Sequence, residues 1–191
     1  MEVRRLEIDG VMLITPKRFA DDRGYFSETY NEAALAEAAG ITDDFVQDNY
    51  SMSRKAGTIR GMHFQSPPFA QDKLVRAVTG SALDVVVDIR HGSPTFGRWV
   101  SAILSAENGA QIWVPKGFAH GVCTLEPDTG LAYKTTGYFS SAHDLGIAWN
   151  DPDLKISWPV DPANVSISEK DSAHPRLGAI EAYFPFEGTG G

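Results

Sequence analysis

The stretch Gly57-Thr-Ile-Arg-Gly-Met-His-Phe-Gln65, followed by Lys73 and Gly80, decides the fold and points to the chemistry. It places an arginine, a histidine and a lysine on short runs that have the length and composition of strands, and we expect those strands to be adjacent. A histidine can take up a proton near neutral pH, and a lysine carries a positive charge. These residue types predict a pocket that stabilises negative charge.

The glycine and histidine spacing of this stretch resembles the first cupin motif, G-x5-H-x-H…E-x6-G. Gln65 stands where that motif has its second histidine, and Lys73 stands where it has a glutamate. A cation at a ligand position repels a divalent ion, so we predict a pocket without a metal.

A second segment, Gly109-x5-Pro115-x-Gly117-x2-His120, resembles the second cupin motif, with Thr124 in place of its final asparagine. Proline and glycine favour a tight turn, and we expect this turn to deliver His120 onto the next strand, facing the interior. Two such motifs in this order predict an all-β, cupin-like double-stranded β-helix, that is, a jelly roll, with a few short helices.

Strand-length runs separated by Gly, Pro, Asn and Asp support the same fold. They are Val11–Ile14, Leu74–Val78, Ala82–Ile89, Trp99–Leu104, Gln111–Val114, Gly121–Leu125 and Leu131–Tyr138. One helix is predicted from Glu32 to Ala39, with Asn31 as its N-cap and Gly40 as its stop. We expect a single domain over residues 1–186 and a flexible tail at 187–191.

Composition limits the function classes. The 191 residues carry a net charge of −8, which argues against nucleic-acid binding because that needs a basic surface. The lone Cys123 fits a reducing compartment, the charged start Met1–Arg5 lacks a secretory signal, and no apolar run approaches the ~20 residues of a membrane helix. We therefore expect a cytoplasmic protein with no membrane or nucleic-acid partner.

Most of the chain, from about Phe19 to Pro175, resembles the nucleotide-sugar epimerase family of dTDP-4-dehydrorhamnose 3,5-epimerase. Besides the opening stretch, the resemblance rests on Phe19-x-Asp-x-Arg-Gly-x-Phe-x-Glu28, Gln47-x-Asn-x-Ser51, Lys73-Leu-Val-Arg76, Asp84-x3-Asp-x-Arg90, Gly92-Ser-Pro-Thr-Phe-Gly97, Val114-Pro-x-Gly-Phe-x-His-Gly121, Tyr133-Lys134, Trp149-Asn-Asp-Pro152, Trp158-Pro159 and Ser168-x-Lys-Asp171. It implies a homodimeric, metal-independent jelly roll without a cofactor. Such an enzyme inverts C3 and C5 of dTDP-4-dehydro-6-deoxy-D-glucose on the way to dTDP-L-rhamnose.

The resemblance also implies catalytic roles. His63 matches the family's general base, and Asp171 matches the carboxylate that orients it. Lys73 matches the residue that stabilises the enolate oxygen, and Tyr133 the acid that returns a proton from the far face. His120 would border the sugar and its C4 oxygen.

A separate set matches nucleotide-sugar binding positions. Arg23 and Arg60 would hold the diphosphate, and Tyr138, with Phe26 as a possible second face, would stack on thymine. The remaining expected binding residues are Glu28, Gln47, Asp48, Asn49, Asp144 and Lys170. In the family the Arg23–Glu28 region can cross to the neighbouring subunit, so a dimer would complete the pocket.

Other interpretations remain open. The chain could instead be a single-centre (3- or 5-) epimerase that acts on another nucleotide-linked 4-keto-6-deoxy sugar. It could also be a metal-dependent cupin or a non-catalytic carbohydrate-binding jelly roll. His91, His143 and His174 are expected to be ordinary satisfied histidines, and Phe19, Phe26, Trp149 and Trp158 packing residues. For Asp84 and Asp88, buried ion pairs with Arg76 or Arg90 are expected rather than a metal site.

Overall fold

The structure is a computed structural model that describes residues 1–186, so the predicted tail at 187–191 lies outside the described residues. The strands in chain order are β1 (Glu2–Arg5), β2 (Met12–Thr15), β3 (Arg18–Asp21), β4 (Gly24–Ser27), β5 (Gln47–Ser53), β6 (Ile59–Gln65), β7 (Lys73–Thr79), β8 (Ser81–Asp88), β9 (Trp99–Ser105), β10 (Gln111–Val114), β11 (Phe118–Thr124), β12 (Thr129–Thr135) and β13 (Asp144–Gly146). The helices are α1 (Glu32–Ala39) and α2 (Glu169–Ser172), with 3-10 turns at Pro162–Asn164 and Leu177–Ala179.

These strands form two antiparallel sheets and one separate hairpin. The first sheet has six strands in the order β1-β2-β10-β7-β12-β5, and the second has five in the order β13-β6-β11-β8-β9. Within residues 1–186, strands β3 and β4 pair only with each other. Non-consecutive neighbours in both sheets are the mark of a jelly roll, so the predicted all-β fold with short helices is confirmed.

The main core lies between the two sheets. Val75 and Ile112 of the six-stranded sheet pack in one buried cluster with Val86, Leu104 and Val122 of the five-stranded sheet. Side chains alternate along a strand, so each sheet turns one row of apolar residues inward. The candidate site lies between the same two sheets, where Val75, Val122 and Leu131 of this core line it together with polar side chains.

Helix α1 forms where the sequence predicts it. The Asn31 side chain accepts a hydrogen bond from the backbone N–H of Ala34, and Gly40 closes the helix in the left-handed conformation at φ 72°. Leu35 and Ala39 are buried with Trp113 of β10, so the helix covers part of the six-stranded sheet. Both caps and both ends of the predicted helix are confirmed.

The predicted turn before His120 is also confirmed. Strand β10 ends at Val114 and β11 begins at Phe118, with Pro115 and Gly117 in the turn between them. Gly117 has φ +86°, a left-handed conformation that favours glycine. The turn sets the start of β11, which carries His120 as its third residue.

One prediction about the opening stretch is wrong. Arg60 and His63 lie on β6 in the five-stranded sheet, whereas Lys73 lies on β7 in the six-stranded sheet. The loop between β6 and β7 crosses from one sheet to the other, so strands consecutive in sequence face each other instead of pairing. The histidine and the lysine therefore approach the pocket from opposite walls.

The apolar pattern of the sequence did not predict three polar strands. Strands β3, β4 and β5 have burial patterns dominated by exposed or half-buried residues. The aromatic residues of the hairpin are exposed, with Phe19 at 54% and Phe26 at 69%, so the prediction that they pack in the core is wrong within one chain. Trp149 and Trp158 do pack, in a cluster with Ile59.

Among the described residues the longest helix, α1, has eight residues. Within residues 1–186 none of the helices has the length and apolarity needed to cross a membrane.

Candidate active site

A cavity of about 490 Å³ opens between the two sheets, and we call it the main cavity. This volume is in the range of small-molecule sites. Its walls come from both sheets and from the chain around α2. The lining residues are Arg60, His63, His120 and Val122 from the five-stranded sheet, Ser51, Lys73, Val75, Leu131 and Tyr133 from the six-stranded sheet, and Ser166, Ile167, Ser168, Lys170 and Asp171 from the α2 region, with Thr58 and Ile59.

His63 and Asp171 form a hydrogen-bonded pair on one wall. Nε2 of His63 lies 2.9 Å from Oδ1 of Asp171, which is buried, so the predicted contact across 108 residues is confirmed. The backbone N–H of Gly61 donates to Oδ2 of the same carboxylate at 3.1 Å. Burial by itself would raise the pKa of Asp171, but the hydrogen bond and charge of His63, with Gly61 and Ser168, lower it to about 2.

Gly61 permits this arrangement sterically. A Cβ at this position would lie 2.6 Å from Cα of Gly121 on the neighbouring strand β11, and its φ of +129° is unfavourable for other residues. Only a glycine lets β6 and β11 come this close. In this arrangement the Gly61 N–H reaches Asp171. His63, which contacts the same carboxylate, lies two residues further along β6.

His120 has its own carboxylate on the same sheet. Its Nε2 lies 2.8 Å from Oδ2 of Asp84, which is completely buried on β8. The predicted pairing of Asp84 with an arginine is therefore wrong, whereas Asp88 does pair with Arg90 at 2.8 Å. The second oxygen of Asp84, Oδ1, has no hydrogen-bond partner within the described part of the chain.

Lys73 and Tyr133 stand on the facing wall. They lie on the neighbouring strands β7 and β12, where Tyr133 is opposite Val75 and Lys73 is opposite Thr135. Burial lowers the pKa of the Lys73 amine, and the charges of Asp144 and Asp84 partly oppose this. Burial raises the pKa of the Tyr133 phenol, with Arg60 opposing and Asp144 adding to the change. The phenol thus keeps its proton at neutral pH.

Gln65 has a structural role that explains its place at a cupin ligand position. Its side-chain amide donates to the backbone oxygens of Phe69 at 2.6 Å and Tyr138 at 3.2 Å, and its carbonyl accepts from the N–H of Ser140 at 2.7 Å. It is 5% exposed and does not line the main cavity. The amide fixes the loop after β12 instead of facing a ligand.

Positive side chains lie at the open side of the main cavity. The Arg60 guanidinium donates from Nε to Oγ of Ser53 and from a terminal nitrogen to the backbone oxygen of Met52, both at 3.0 Å. Lys170 lines the cavity and forms a salt bridge with Asp144. Both cations are held by neighbours and still reach the solvent-exposed side of the cavity.

The predicted binding residues of β5 divide between two faces. Gln47 and Asn49 are hydrogen-bonded to each other at 2.8 Å and, by strand alternation, lie on the same face of β5 as Ser51. Ser51 lines the main cavity, whereas Gln47 and Asn49 do not. Asp48 points the other way and pairs with Lys134 at 2.9 Å. Asp48 and Asn49, with Glu28, border a second cavity on the outer side of the six-stranded sheet. Within one chain, Glu28 and Asp48 therefore do not reach the main cavity.

Arg23, Phe26 and Tyr138 are the predicted site residues that one chain leaves at the surface. The Arg23 side chain is 89% exposed in the β3–β4 turn and pairs with Asp21 at 2.5 Å. Phe26 is 69% exposed and Tyr138 is 67% exposed. None of the three lines the main cavity.

His174 was missed as a neighbour of the site. Its ring lies edge to face with His63, with centroids 5.6 Å apart, and its Nε2 is 3.9 Å from Oδ1 of Asp171. Within residues 1–186 this Nε2 has no hydrogen-bond partner, so the prediction of a satisfied histidine is wrong. His143, by contrast, bonds Ser140 at 2.9 Å as expected. The available signal was its position three residues after Asp171, just past the end of the short helix α2.

Comparison with known proteins gives a consistent family. The family model described as dTDP-4-dehydrorhamnose 3,5-epimerase matches residues 5–179. A dTDP-4-dehydrorhamnose 3,5-epimerase of Sinorhizobium fredii is 50% identical over 187 residues, which are 97% of this chain and 94% of that protein.

Solved structures agree with the same fold. The dTDP-6-deoxy-D-glucose-3,5-epimerase of Legionella pneumophila, in complex with dTDP-4-keto-L-rhamnose, superposes with a TM-score of 0.93 at 43% identity, covering 98% of this chain and 99% of that one. A 3'-monoepimerase of Streptomyces bikiniensis, in complex with dTDP-quinovose, is more distant, with a TM-score of 0.83 at 33% identity over 91% of this chain and 86% of that one.

Proposed function

Since the chain belongs to the dTDP-4-dehydrorhamnose 3,5-epimerase family, we propose that the main cavity is its active site and that residues on the two facing sheets divide the chemistry. The enzyme is an isomerase that inverts C3 and C5 of dTDP-4-dehydro-6-deoxy-D-glucose, giving dTDP-4-dehydro-L-rhamnose. Each inversion removes a proton from a carbon next to the C4 ketone and returns one to the opposite face of the sugar ring.

His63 is the base in this proposal. One ring nitrogen is bonded to Asp171, so the other is left to accept the proton from carbon. The carboxylate orients the ring and stabilises the imidazolium that forms, as in other His–Asp pairs. The low pKa of Asp171 supports this role, because the carboxylate stays charged while the imidazole changes its protonation state.

Lys73 stabilises the enolate. A sugar C–H is a far weaker acid than an imidazolium, so the negative charge that develops on the C4 oxygen must be stabilised for His63 to succeed. One preorganised donor of this kind contributes about 3–4 kcal/mol in other enzymes. Lys73 has no salt bridge within residues 1–186 and lines the cavity, so its ammonium is available to the enolate oxygen. His120, held by Asp84, borders the same region.

Tyr133 is the acid. It projects from the six-stranded sheet, whereas His63 projects from the five-stranded sheet, and both line one cavity. A sugar ring held between the sheets has the base on one face and the phenol on the other. This placement on opposite walls is the single observation that carries the proposal, because inversion requires removal and delivery of protons on opposite faces. The phenolate and imidazolium then re-equilibrate with solvent.

Arg60 and Lys170, at the open side of the cavity, bind the diphosphate end of the substrate in the same proposal. Asp144 contributes indirectly by holding Lys170 in a salt bridge, whereas Gln47 and Asn49 do not line the main cavity within one chain. The buried free thiol of Cys123 is consistent with a cytoplasmic enzyme.

We further propose that the enzyme is a homodimer in which the β3–β4 hairpin reaches the neighbouring subunit. Arg23 and Phe26 are far more exposed than a binding arginine and a stacking aromatic should be, and exposed Phe19 and Tyr25 extend the apolar surface of the same hairpin. Glu28 and Asp48 also lie outside their own main cavity. Light scattering that gives the mass of a single 20.8 kDa chain would contradict this arrangement.

The proposed reaction is tested by incubating the enzyme with the 4-keto nucleotide sugar in deuterated water. We expect deuterium at both C3 and C5, measured by NMR of the product. Label at only one carbon would make the protein a single-centre epimerase. Absence of label at both carbons, with folded protein and verified substrate, would contradict the proposal.

A further inference from the structure

His174 stands behind the His63–Asp171 pair and is not explained by the epimerisation. It lies two residues beyond α2, its side chain is only 10% exposed, and it does not line the main cavity. Its Nε2 lacks a hydrogen-bond partner in the described part of the chain. A buried polar atom without a partner is unfavourable and rare, so its presence beside a catalytic pair calls for a physical reason.

The spacing of the three side chains is that of a metal site. One ligand atom from each of His63, Asp171 and His174 can be chosen so that all lie within 4.8 Å of one another. Ligand atoms about 2.1 Å from a tetrahedral ion are roughly 3.4 Å apart, so small side-chain movements bring these three into range. In residues 1–186 this is the only group of three or more such donors at that spacing.

The donor types select the class of metal. Two imidazole nitrogens and one carboxylate oxygen suit zinc and its neighbours in the first transition series, and three protein ligands leave a position for water. Magnesium and calcium prefer oxygen ligands, so they fit this set poorly.

Neighbouring groups already orient the ligands. The Gly61 N–H holds one oxygen of Asp171 and leaves the other directed at both histidines, at 2.9 Å from His63 and 3.9 Å from His174. Gly146, opposite His63 on β13, has no side chain, and a Cβ there would lie 2.5 Å from Nε2 of His174. The missing side chain leaves the space that the His174 ring occupies. Hydrogen bonds and packing around metal ligands raise metal affinity because they fix the orientation of the ligands.

We propose that His63, Asp171 and His174 form a binding site for a divalent transition-metal ion of the zinc class, and that the bound ion inhibits the enzyme. The ion binds Nε2 of His63 in place of the hydrogen that this nitrogen donates to Asp171. The displaced proton passes to the other ring nitrogen, which can then no longer accept a proton from the substrate. The base is then neither free nor correctly oriented. The inhibitory consequence rests on the proposed function, whereas the binding site does not.

The binding test uses metal-stripped protein titrated with cobalt(II), followed by its visible absorption, and with zinc, followed by calorimetry. We expect one ion per chain. His174→Gln should weaken the affinity at least about 10-fold, because it removes one of three protein ligands. His91→Gln is the matched control, since His91 is an exposed histidine outside the site, and it should bind as the wild type does. Equal affinities in wild type and His174→Gln would overturn the proposal.

Inhibition is measured in the same proteins, each relative to its own metal-free rate. Zinc should stop deuterium exchange in the wild type, a chelator should restore it, and His174→Gln should need at least about 10-fold more zinc for the same loss. His174-dependent binding by a protein without epimerase activity would support the site and contradict the proposed function. Full epimerase activity without His174-dependent zinc binding would support the proposed function and contradict the metal site.

A measurement on the wild type avoids any effect of the substitution on folding. The chain has five histidines, which nitrogen-15 labelling makes visible by NMR. Added zinc should move the ring signals of His63 and His174 together and leave those of His91 and His143 in place. Movement of His63 with His120, its partner across the strands, would instead place the ion in the main cavity and overturn the proposal.

Discussion

The two walls of the main cavity are built on different electrostatic principles. On the five-stranded sheet, His63 and His120 each contact a buried carboxylate, at 2.9 Å to Asp171 and 2.8 Å to Asp84. On the six-stranded sheet, Lys73 and Tyr133 have no such partner among the described residues, and burial moves the pKa of the amine down and that of the phenol up.

This difference follows from what each wall is proposed to do. A base must accept a proton and carry a temporary positive charge, and a neighbouring carboxylate stabilises that charge. An acid and an enolate-stabilising cation must direct their protons at the substrate, and a nearby carboxylate would compete for them. The contrast predicts that substitutions on the two walls will fail in different ways.

The largest expected effect comes from the carboxylate-paired wall. His63→Ala should lower the rate of deuterium exchange by up to about 10⁴-fold, because it removes the base. The measurement is NMR of exchange into the substrate at both carbons. Exchange at a rate close to that of the wild type would show that another group is the base.

Arg60→Ala is the matched control for His63→Ala, since both residues lie on β6 and line the main cavity. Loss of charge-assisted hydrogen bonds to the diphosphate should raise KM about 10-fold or more and change kcat little. A fall in kcat as large as that of His63→Ala would contradict the separation of chemistry from nucleotide binding.

On the facing wall, Lys73→Met should lower kcat by about 10²–10³-fold, because methionine fills the same space without a donor for the enolate oxygen. Steady-state kinetics measures the effect. Substrate binding, followed by calorimetry, should change much less. A variant with normal kcat and weak binding would make Lys73 a binding residue instead.

The pH dependence of the activity should come from the six-stranded sheet, where Lys73 and Tyr133 have no carboxylate partner among the described residues. Lys73 is active as the ammonium, and burial lowers its pKa, so activity should fall at a pH below the ordinary range of a lysine amine. Tyr133 keeps its proton to higher pH because burial raises its pKa. Replacing Lys73 by arginine should lower the rate and move this alkaline limb of kcat/KM upward. A limb that stays in place would assign it to another group.

Local signals predicted much of this structure. Asn31 and Gly40 define α1 because caps act through neighbouring backbone groups, and the turn at Gly117 follows from glycine's tolerance of positive φ. The polar strand β5 could not be recognised, because a strand at the edge of a sheet needs little apolar alternation. The sheet to which Lys73 belongs depends on how a loop crosses the barrel, which local patterns do not encode.

The site, too, combines features that the sequence predicted with features that only the tertiary structure shows. The pairing of His63 with Asp171 was expected from the family resemblance alone, since the two are distant in sequence. The contact between His120 and Asp84 depends on the register of β11 against β8, and His174 depends on the packing of α2 against β6. Pairings of this kind are set by tertiary structure.

The central claim is that base and acid act from opposite walls, and Tyr133→Phe in deuterated water tests it most directly. Without the phenol, His63 can still remove a proton, exchange it with solvent and return deuterium to the same face. We therefore expect deuterium incorporation with retained configuration, and inversion slowed by about 10²-fold or more. Inversion at the wild-type rate, or loss of exchange and inversion together, would contradict the account.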